Sequence, residues 1–323
     1  MTQMRHWGAL LGLLALCTGG VPAHSEDYPS KPVRLIVTTP PGGLVDILGR
    51  IFAQGLGARL GQNVVVENKT GATTQIGLDV VAHAPPDGYV LLIGTAEMTM
   101  LPALKKDYPY NAQKDFTPVA LFASSWTVFA INPKLPIQTL PDLVTYAKAH
   151  PGAIHYGTNG IGGTLHLAVA LLEMKTGITL THVPYRGGAQ AATDAAAGQI
   201  EMVSMGLAST RSSQGMLRFL AQTGPSRHPM LPDVPTTAEF GMPEVRMETW
   251  FGILGPANLP PAIVQRLAGA MDPLLQDPAL KEKFSSIGCA TAWMPPPAFA
   301  KFIADESRRW AQVIPAAGIK PEG

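Results

Sequence analysis

Apolar and polar positions follow each other along the chain in an order that predicts strands and helices in turn. Val33–Val37 is a short, apolar-rich run typical of a buried strand. Apolar residues then recur every three or four positions over residues 44–60, which predicts an amphipathic helix. The elements that follow are a strand at 64–66, a helix at 76–84 and a strand at 89–93. This order is typical of a parallel sheet with right-handed crossover helices.

A second series of the same kind occupies the middle of the chain. It consists of a strand at 154–156, a helix at 165–176, a strand at 179–183, a helix at 190–197 and a strand at 200–203. The repetition predicts an α/β protein with two domains, each containing a central, mainly parallel sheet flanked by helices.

The remaining segments indicate how the chain passes between these domains. Strand-like runs that would join them lie at 116–132, 219–221 and 249–254. Helices with a proline at or near the start are predicted at 261–275, 278–287 and 297–313, and we expect them to pack on the first domain. We therefore assign residues 24–122 and 250–323 to domain one and residues 123–249 to domain two. Hinge crossings are expected near residues 120–130 and 220–252.

Glycine-rich loops follow the first strand of each series and lead directly into a helix. The first loop contains Pro41, Gly42 and Gly43, and the second runs from Gly160 to Thr164. Open α/β sheets bind ligands beyond the carboxyl ends of their parallel strands, and the first N–H groups of a helix favour an anion. Two such loops facing one cleft would suit a ligand with a carboxylate at each end. Tight turns that bind nothing are the alternative explanation of the glycines.

Several side chains near these loops are candidates for binding or support. Asp46 is placed to accept hydrogen bonds from N–H groups of the first loop, a structural role that we favour over contact with an anionic ligand. Thr164 is a candidate helix N-cap, and His166 in the same turn is expected to be neutral, either as a hydrogen-bond donor or as a structural histidine. Tyr185 and Arg186 end a strand and are candidates for the cleft, with a solvated Arg186 as the alternative.

Composition and charge argue against several classes of protein. The chain has 323 residues, of which 46% are apolar and 15% are charged, and its formal net charge is +1. This balance excludes a disordered chain, and the lack of a basic cluster in the sequence argues against a nucleic-acid partner.

The first residues have the character of an export signal. Residues 1–23 combine Arg5 with a short apolar run, and cleavage is expected near Ala23, with Ser25 as the alternative. Cys17 raises the possibility of a lipoprotein, but Leu16 stands before it where a small residue is wanted. The exported mature chain would then have Cys289 as its single cysteine, so no intramolecular disulfide is expected.

The sequence motifs of common enzymes and metal proteins are missing. It contains no G-x-S-x-G nucleophile turn, no phosphate-binding G-x-x-x-x-G-K-[ST] loop and no H-E-x-x-H pair. The run Gly160-Ile161-Gly162-Gly163 also lacks the third glycine of a dinucleotide fingerprint in register. We therefore expect neither a cofactor nor a metal site.

The motifs of the chain resemble those of the periplasmic receptors of tripartite tricarboxylate transporters, the Bug (Bordetella uptake gene) proteins. The similarity extends over residues 28–318, with every motif in order. The matching motifs are Tyr28-Pro-x-Lys31-Pro32, Pro40-Pro41-Gly42-Gly43-x-x-Asp46-x-x-x-Arg50, Val65-Val66-Glu67-Asn68, Ala84-x-Pro86-Asp87-Gly88-Tyr89, His182-Val183-Pro184-Tyr185-x-Gly187, Leu231-Pro232-Asp233-Val234-Pro235-Thr236 and Trp250-Phe251-Gly252.

This resemblance implies a two-domain Venus-flytrap fold with a two-strand hinge, and a monomeric receptor that captures a carboxylate and delivers it to inner-membrane permease subunits. It implies that loops around both glycine-rich segments line the cleft, largely through backbone groups. Taken with the candidates above, the ligand-binding residues are expected to be Pro41, Gly42, Gly43, Val45, Asp46, Thr95, Ala96, Thr158, Asn159, Gly160, Thr164, His166, Tyr185, Arg186, Gly187, Met205 and Gly206.

One departure from the family pattern bears on the ligand. Many relatives have a polar or acidic pair after the last strand of domain two, where this chain has Ser204-Met205-Gly206. Methionine offers adaptable contacts to an apolar body, so a dicarboxylate with an apolar or aromatic spacer, such as terephthalate, is expected over citrate. The competing functions are an exported α/β hydrolase-like enzyme and a ligand sensor for a signalling kinase.

Overall fold

The computed structural model describes residues 28–320 of the chain. The predicted signal peptide, its cleavage position and Cys17 lie outside the described residues. In the first series, the elements are β1 (Val33–Val37), α1 (Leu44–Leu60), β2 (Val64–Asn68), α2 (Gln75–Ala82), β3 (Val90–Thr95) and α3 (Glu97–Leu104). They are followed by the long strand β4 (Phe116–Ile131) and by α4 (Leu140–Ala149).

The second series repeats this order. Its elements are β5 (His155–Thr158), α5 (Thr164–Thr176), β6 (Thr181–Pro184), α6 (Gly188–Ala197), β7 (Met202–Gly206) and α7 (Leu207–Ser213). The chain continues through β8 (Arg218–Gln222), β9 (Glu248–Pro256), α8 (Pro261–Leu275), α9 (Pro278–Ser286), β10 (Ala290–Met294) and α10 (Pro296–Ala316).

Each series forms a parallel three-stranded unit with its first strand in the centre. β1 pairs in parallel with β2 and β3, and β5 pairs in parallel with β6 and β7. β9 and β4 extend the first unit as antiparallel strands, and β10 adds to β4. The α/β fold class with two repeated sheet units is confirmed, although each sheet also carries the antiparallel strands that connect them.

Strand β4 belongs to both sheets. Its residues Phe116–Trp126 pair with β9, whereas Thr127–Ile131 pair with β7 and β8. The chain therefore leaves the first sheet and enters the second along a single strand, inside the region 120–130 expected for a hinge crossing. The domain boundaries themselves remain a prediction.

The predicted elements agree with the structure wherever the apolar pattern is long. The helix predicted over residues 44–60 is observed as α1, which ends at Gly61 in the left-handed conformation with φ of 73°. Helices α3, α4 and α7 were not predicted; α3 and α7 are short and each begins immediately after a strand. β10 was also missed, since its half-buried residues lie between two strongly predicted helices.

The C-terminal helices pack on the first sheet, as expected. Helices α8 and α9 cover a core in which the rings of Phe52 and Phe122 stack with centroids 4.1 Å apart. Cys289 is fully buried in the same cluster, and burial raises the pKa of its thiol to about 12. Among residues 28–320, no helix is both long enough and apolar enough to cross a bilayer.

Gly252 marks the closest packing of α10 against β9. A Cβ atom at this position would overlap the ring of Phe299, which is fully buried. Only hydrogen at Gly252 lets the Phe299 ring lie directly on the strand, which accounts for the glycine that follows Trp250 and Phe251.

We predict that Gly252→Ala lowers the free energy of unfolding by about 1–3 kcal/mol, because the added methyl group overpacks a fixed aromatic ring. Gly269→Ala on α8 is the matched control, since a Cβ atom there meets nothing within 4 Å. The control should be stabilised by up to about 1 kcal/mol through helix propensity. Urea unfolding would measure both, and equal effects of the two substitutions would contradict the packing argument.

Candidate functional site

A cavity of about 390 Å³ lies between the two sheets, at the carboxyl ends of β1, β3, β5 and β7. Loops and helix starts of both series line it, together with the segments of β4 and β9 that join the sheets. The lining residues are Thr39, Gly43, Leu44, Val45, Thr95, Ala96, Glu97, Ser125, Trp126, Thr127, Asn159, Thr164, Leu165, Gly188, Gly206, Ala208, Ser209, Thr249 and Phe251. Its size is within the range of sites for small organic ligands.

Helices α1, α3, α5 and α6 begin at this cavity with their N-termini uncapped. Their N-cap residues are Gly43, Ala96, Gly163 and Gly187, and no side chain caps any of them. Away from the cavity, α4 and α9 are capped by the side chains of Thr139 and Asp277, whereas α8 and α10 follow Pro260 and Pro295 and have no side-chain cap. The uncapped ends leave backbone N–H donors and positive dipole ends for a bound anion.

The two series place their first helix in the same way. Gly43 has φ of −72° and ψ of 164°, and Gly163 has φ of −72° and ψ of 169°. The sequence prediction of Thr164 as N-cap is wrong by one residue: Gly163 is the N-cap, and Thr164 is the first helical residue and lines the cavity.

Asp46 holds the first glycine-rich loop in place. Its carboxylate accepts hydrogen bonds from the Gly42 backbone N–H at 2.9 Å and from the Asn68 side-chain amide at 2.9 Å, and it pairs with Arg50 at 2.9 Å. Asn68 also donates to the carbonyl of Thr39 at 3.0 Å. Asp46 is only 3% exposed and lies outside the cavity lining, so the structure places it as a support of the loop.

The environment of Asp46 keeps it ionised. Burial by itself raises the pKa of the carboxyl, but the hydrogen bonds from Arg50, Gly42 and Asn68 outweigh burial and hold the pKa below its usual value. Gly42 has φ of +82°, a conformation that glycine adopts without strain, and this turn points its N–H toward Asp46.

The second loop is supported by a stack of two histidines. His166 Nδ1 accepts a hydrogen bond from the Gly162 backbone N–H at 3.0 Å, and its ring stacks on His182 with centroids 4.1 Å apart. Burial, with a smaller effect of His182, lowers the pKa of His166 to about 4. His166 is therefore neutral at physiological pH and supports the loop from behind, outside the residues that line the cavity.

Thr158 and His182 complete this support. The Thr158 hydroxyl, which is fully buried, donates to the Gly160 carbonyl at 3.0 Å and lies 2.7 Å from His182 Nε2. Asn159, between Thr158 and Gly160, does line the cavity. Thr158 and Gly160 thus shape the loop, while Asn159 and Thr164 present it to a ligand.

The remaining predicted residues fall into two groups. Val45, Thr95, Ala96 and Gly206 line the cavity with Gly43. Pro41 and Arg186 are exposed outside it, Tyr185 packs its ring beside Gly157, and Gly187 is the N-cap of α6 next to the lining residue Gly188.

Met205 was expected to contact the ligand, but the structure places it away from the cavity. Its side chain is fully buried in the core of the second sheet, and Met202 and Met98 are buried as well. Residues alternate between the two faces of a strand, so Met205 points into the core of the second sheet while Gly206, at its end, reaches the cavity. The apolar walls of the cavity come instead from Trp126, Phe251 and Leu165.

Several polar residues that line the cavity were not predicted from the sequence. They are Thr39 after β1, Ser125, Trp126 and Thr127 in β4, and Glu97 at the start of α3. Trp126 is held in position because its indole N–H donates to Gln222 at 2.8 Å. Thr39 Oγ1 is buried and has no hydrogen-bond partner among residues 28–320, although it lines the cavity. The polar run Ser124-Ser125-Trp126-Thr127 inside an apolar strand was the signal that could have identified β4 as part of the site.

The described part of the chain contains no group of three or more histidine, cysteine or acidic residues arranged to hold a metal ion. Within the lining, the chemistry is therefore that of backbone N–H groups, hydroxyls, one amide, apolar walls and the single carboxylate of Glu97. This arrangement can bind an organic anion through neutral donors.

We predict that Asp46→Ala lowers the free energy of unfolding by about 1–3 kcal/mol at neutral pH, because Gly42 and Asn68 lose their acceptor. The folded-state pKa of Asp46 is lowered, so its contribution is present above its unfolded pKa of about 3.9 and is lost as the pH falls through the folded value. Chemical unfolding at neutral and acidic pH would measure this, with the exposed Asp233→Ala as control. A difference between wild type and Asp46→Ala that does not shrink in acid would contradict it.

Comparison with known proteins identifies the family. The profile described as "Tripartite tricarboxylate transporter family receptor" matches residues 48–319. Protein BugT of Bordetella pertussis is 34% identical over 318 residues, which cover 97% of each chain. Rpa4515 of R. palustris, solved with adipate, is 32% identical with a TM-score of 0.76, over 92% of this chain and 100% of that one.

A further solved structure, MatC from Rhodopseudomonas palustris with bound malate, is 26% identical with a TM-score of 0.69, over 89% of this chain and 100% of that one. These neighbours confirm the two-domain fold of periplasmic binding proteins that the sequence motifs implied. The chain therefore belongs to the receptor family of tripartite tricarboxylate transporters, the family that includes the Bug proteins.

Proposed function

We propose that this protein is exported to the periplasm, where it binds a small carboxylate in the cavity between its two sheets and delivers it to the permease subunits of a tripartite tricarboxylate transporter. The observation that carries this proposal is the convergence of four uncapped helix N-termini, from both series, on one cavity without a basic side chain in its described lining. Neutral N–H donors and helix dipoles can bind a carboxylate and release it again.

Binding without chemical conversion is favoured over the hydrolase alternative. A serine hydrolase needs a hydroxyl within hydrogen-bond reach of a base. Ser125, the buried serine of the lining, donates its hydrogen bond to the Gly288 carbonyl at 2.6 Å, and neither described histidine of the second loop lines the cavity. The orphaned hydroxyl of Thr39 suits a ligand oxygen, since buried polar groups normally have partners.

The ligand that we favour is a dicarboxylate with an apolar or aromatic spacer, terephthalate being the leading candidate. Uncapped helix N-termini of both series line the cavity and would receive the carboxyl groups of such a ligand. Trp126, Phe251 and Leu165 supply flat or aliphatic walls for the spacer, in place of Met205. The adipate in the related structure from R. palustris is a dicarboxylate with an apolar spacer, which supports this choice.

Thermal-shift measurements over terephthalate, adipate, succinate, citrate and benzoate test the proposal, because a ligand that binds only the native state raises the melting temperature. We expect terephthalate or adipate to give the largest shift, and denaturation of the complex should release the bound compound unchanged. Tight binding of citrate with no response to the apolar diacids would refute the ligand class. No response to any carboxylate would refute the receptor function.

We predict that Gly43→Val weakens binding of the best diacid by about tenfold or more, because a branched side chain at the N-cap of α1 blocks close approach of an anion to the backbone. A Cβ atom there would lie 3.2 Å from the Pro40 carbonyl oxygen, so a modest adjustment of the loop is expected. Gly269→Val on α8 controls for the loss of a glycine outside the cavity. Calorimetry that gives wild-type affinity for folded Gly43→Val would exclude this loop from the site.

A further inference from the structure

Glu97 is the one ionisable side chain among the described residues that line the cavity. It is the first residue of α3, directly after the carboxyl end of β3. It also lines an adjoining cavity of about 330 Å³, which is bordered by Leu104, Lys105 and the second glycine-rich loop. Glu97 therefore separates the two compartments and faces any ligand that extends along the cleft.

The charged and titratable groups around Glu97 leave its carboxyl without a cationic partner. On the side of the adjoining cavity these groups are Lys105, Lys320 and Tyr108. The Lys105 ammonium donates to the Thr73 hydroxyl at 2.9 Å, and the ion pairs found within residues 28–320 do not include Glu97. On the side of the first cavity, the elements α1, β4, α5, α6, α7 and β9 contribute no ionisable lining residue.

The position of Glu97 makes a second negative charge beside it costly. Water in the cleft reaches its side chain, but protein atoms of both domains surround it, and this desolvation raises the pKa of the carboxyl. Closure of the cleft on a ligand would remove more of that water. Two carboxylates brought together in such a site do not both stay ionised, because each disfavours the charge of the other.

We propose that Glu97 shares one proton with the second carboxyl group of a dicarboxylate ligand, so that binding takes up one proton from solution. This inference rests on the proposed function, since it requires a ligand with two carboxyl groups. The first carboxylate lies at the uncapped helix ends. The second is bound through an O–H···O⁻ hydrogen bond to Glu97, in which the proton comes from the solvent and no covalent bond other than O–H is formed.

The expected signature is a pH-dependent affinity for diacids. Above the pKa of free Glu97, both the Glu97 carboxyl and the free diacid are fully ionised, so the complex contains one proton more than its separated components. The dissociation constant should therefore rise by about tenfold per pH unit above the pKa of free Glu97, until the pKa of the shared proton is passed. A monocarboxylate of the same shape brings no second carboxyl group and should bind without this dependence.

Calorimetry in two buffers of different ionisation enthalpy measures the proton uptake directly. We expect close to one proton per molecule of terephthalate or adipate and none per molecule of para-toluate or hexanoate. The dissociation constants of the diacids should be followed from about pH 5 to about pH 9, and the expected rise is about tenfold per pH unit between the pKa of free Glu97 and that of the shared proton. Uptake of no proton by a diacid that binds would overturn the inference and leave the receptor function intact.

Glu97→Gln tests the role of the proton, because glutamine has nearly the same shape as glutamate but does not ionise. Its amide donates an N–H to the ligand carboxylate without taking up a proton, so this variant should bind diacids with no proton uptake and an affinity independent of pH. At about pH 8 it should bind them more tightly than the wild type. Glu282→Gln, on the exposed face of α9, is the matched control and should keep the wild-type pH dependence.

Amino acids of the same length as the favoured diacids test whether Glu97 binds a carboxyl group or an ammonium group. ω-Aminohexanoate and para-aminomethylbenzoate replace one carboxyl group of the favoured ligands by an ammonium group. If they bind more tightly than adipate or terephthalate and Glu97→Gln abolishes that preference, Glu97 pairs with an ammonium group and the inference is overturned. If no carboxylate binds the wild type, the inference falls together with the proposed function.

Discussion

The membership of one strand in two sheets is the constraint on which the ligand site depends. The first part of β4 pairs with β9, and its last part pairs with β7 and β8. Backbone hydrogen bonding along this strand joins the two sheets and brings the carboxyl ends of their parallel strands to one cavity. The cavity lies where β4 passes from one sheet to the other. Its lining includes Ser125, Trp126 and Thr127 of β4 together with loops of both parallel units.

The residues that support the two glycine-rich loops are different from the residues that line the cavity. Asp46 and Asn68 hold the first loop, and the stacked His166 and His182 hold the second, from positions outside the lining. The helix ends that these loops present have no side-chain caps, whereas Thr139 caps a helix start elsewhere. Uncapped ends cost stability in the free protein, and a bound carboxylate can recover that cost. The same N–H groups are thus available to a ligand in the proposed binding site.

The cavity lining, within the described part of the chain, contains almost no ionisable side chains. The proposed anion site uses backbone dipoles rather than lysine or arginine, which keeps the lining nearly free of ionised groups. A single carboxylate then has a large influence, because no neighbouring cation compensates it and the cleft removes part of its hydration. Glu97 is in that position. It would make the affinity for a dicarboxylate depend on pH. The supporting residues would not contribute to this dependence, because Asp46 stays ionised and His166 stays neutral near neutral pH.

The sequence by itself determined the repeated order of strands and helices, the position of Gly43 at a helix start and the family, because apolar periodicity and local turn residues encode these features over short distances. It also identified Asp46 as a loop acceptor, since its partner Gly42 is only four residues away. Only the tertiary structure decided which side chains face the cavity. Met205 points into the core because residues alternate between the faces of a strand. Thr39, Trp126 and Glu97 line one cavity because β1, β3, β9 and β4 pair in that order, and no local pattern encodes these long-range pairings.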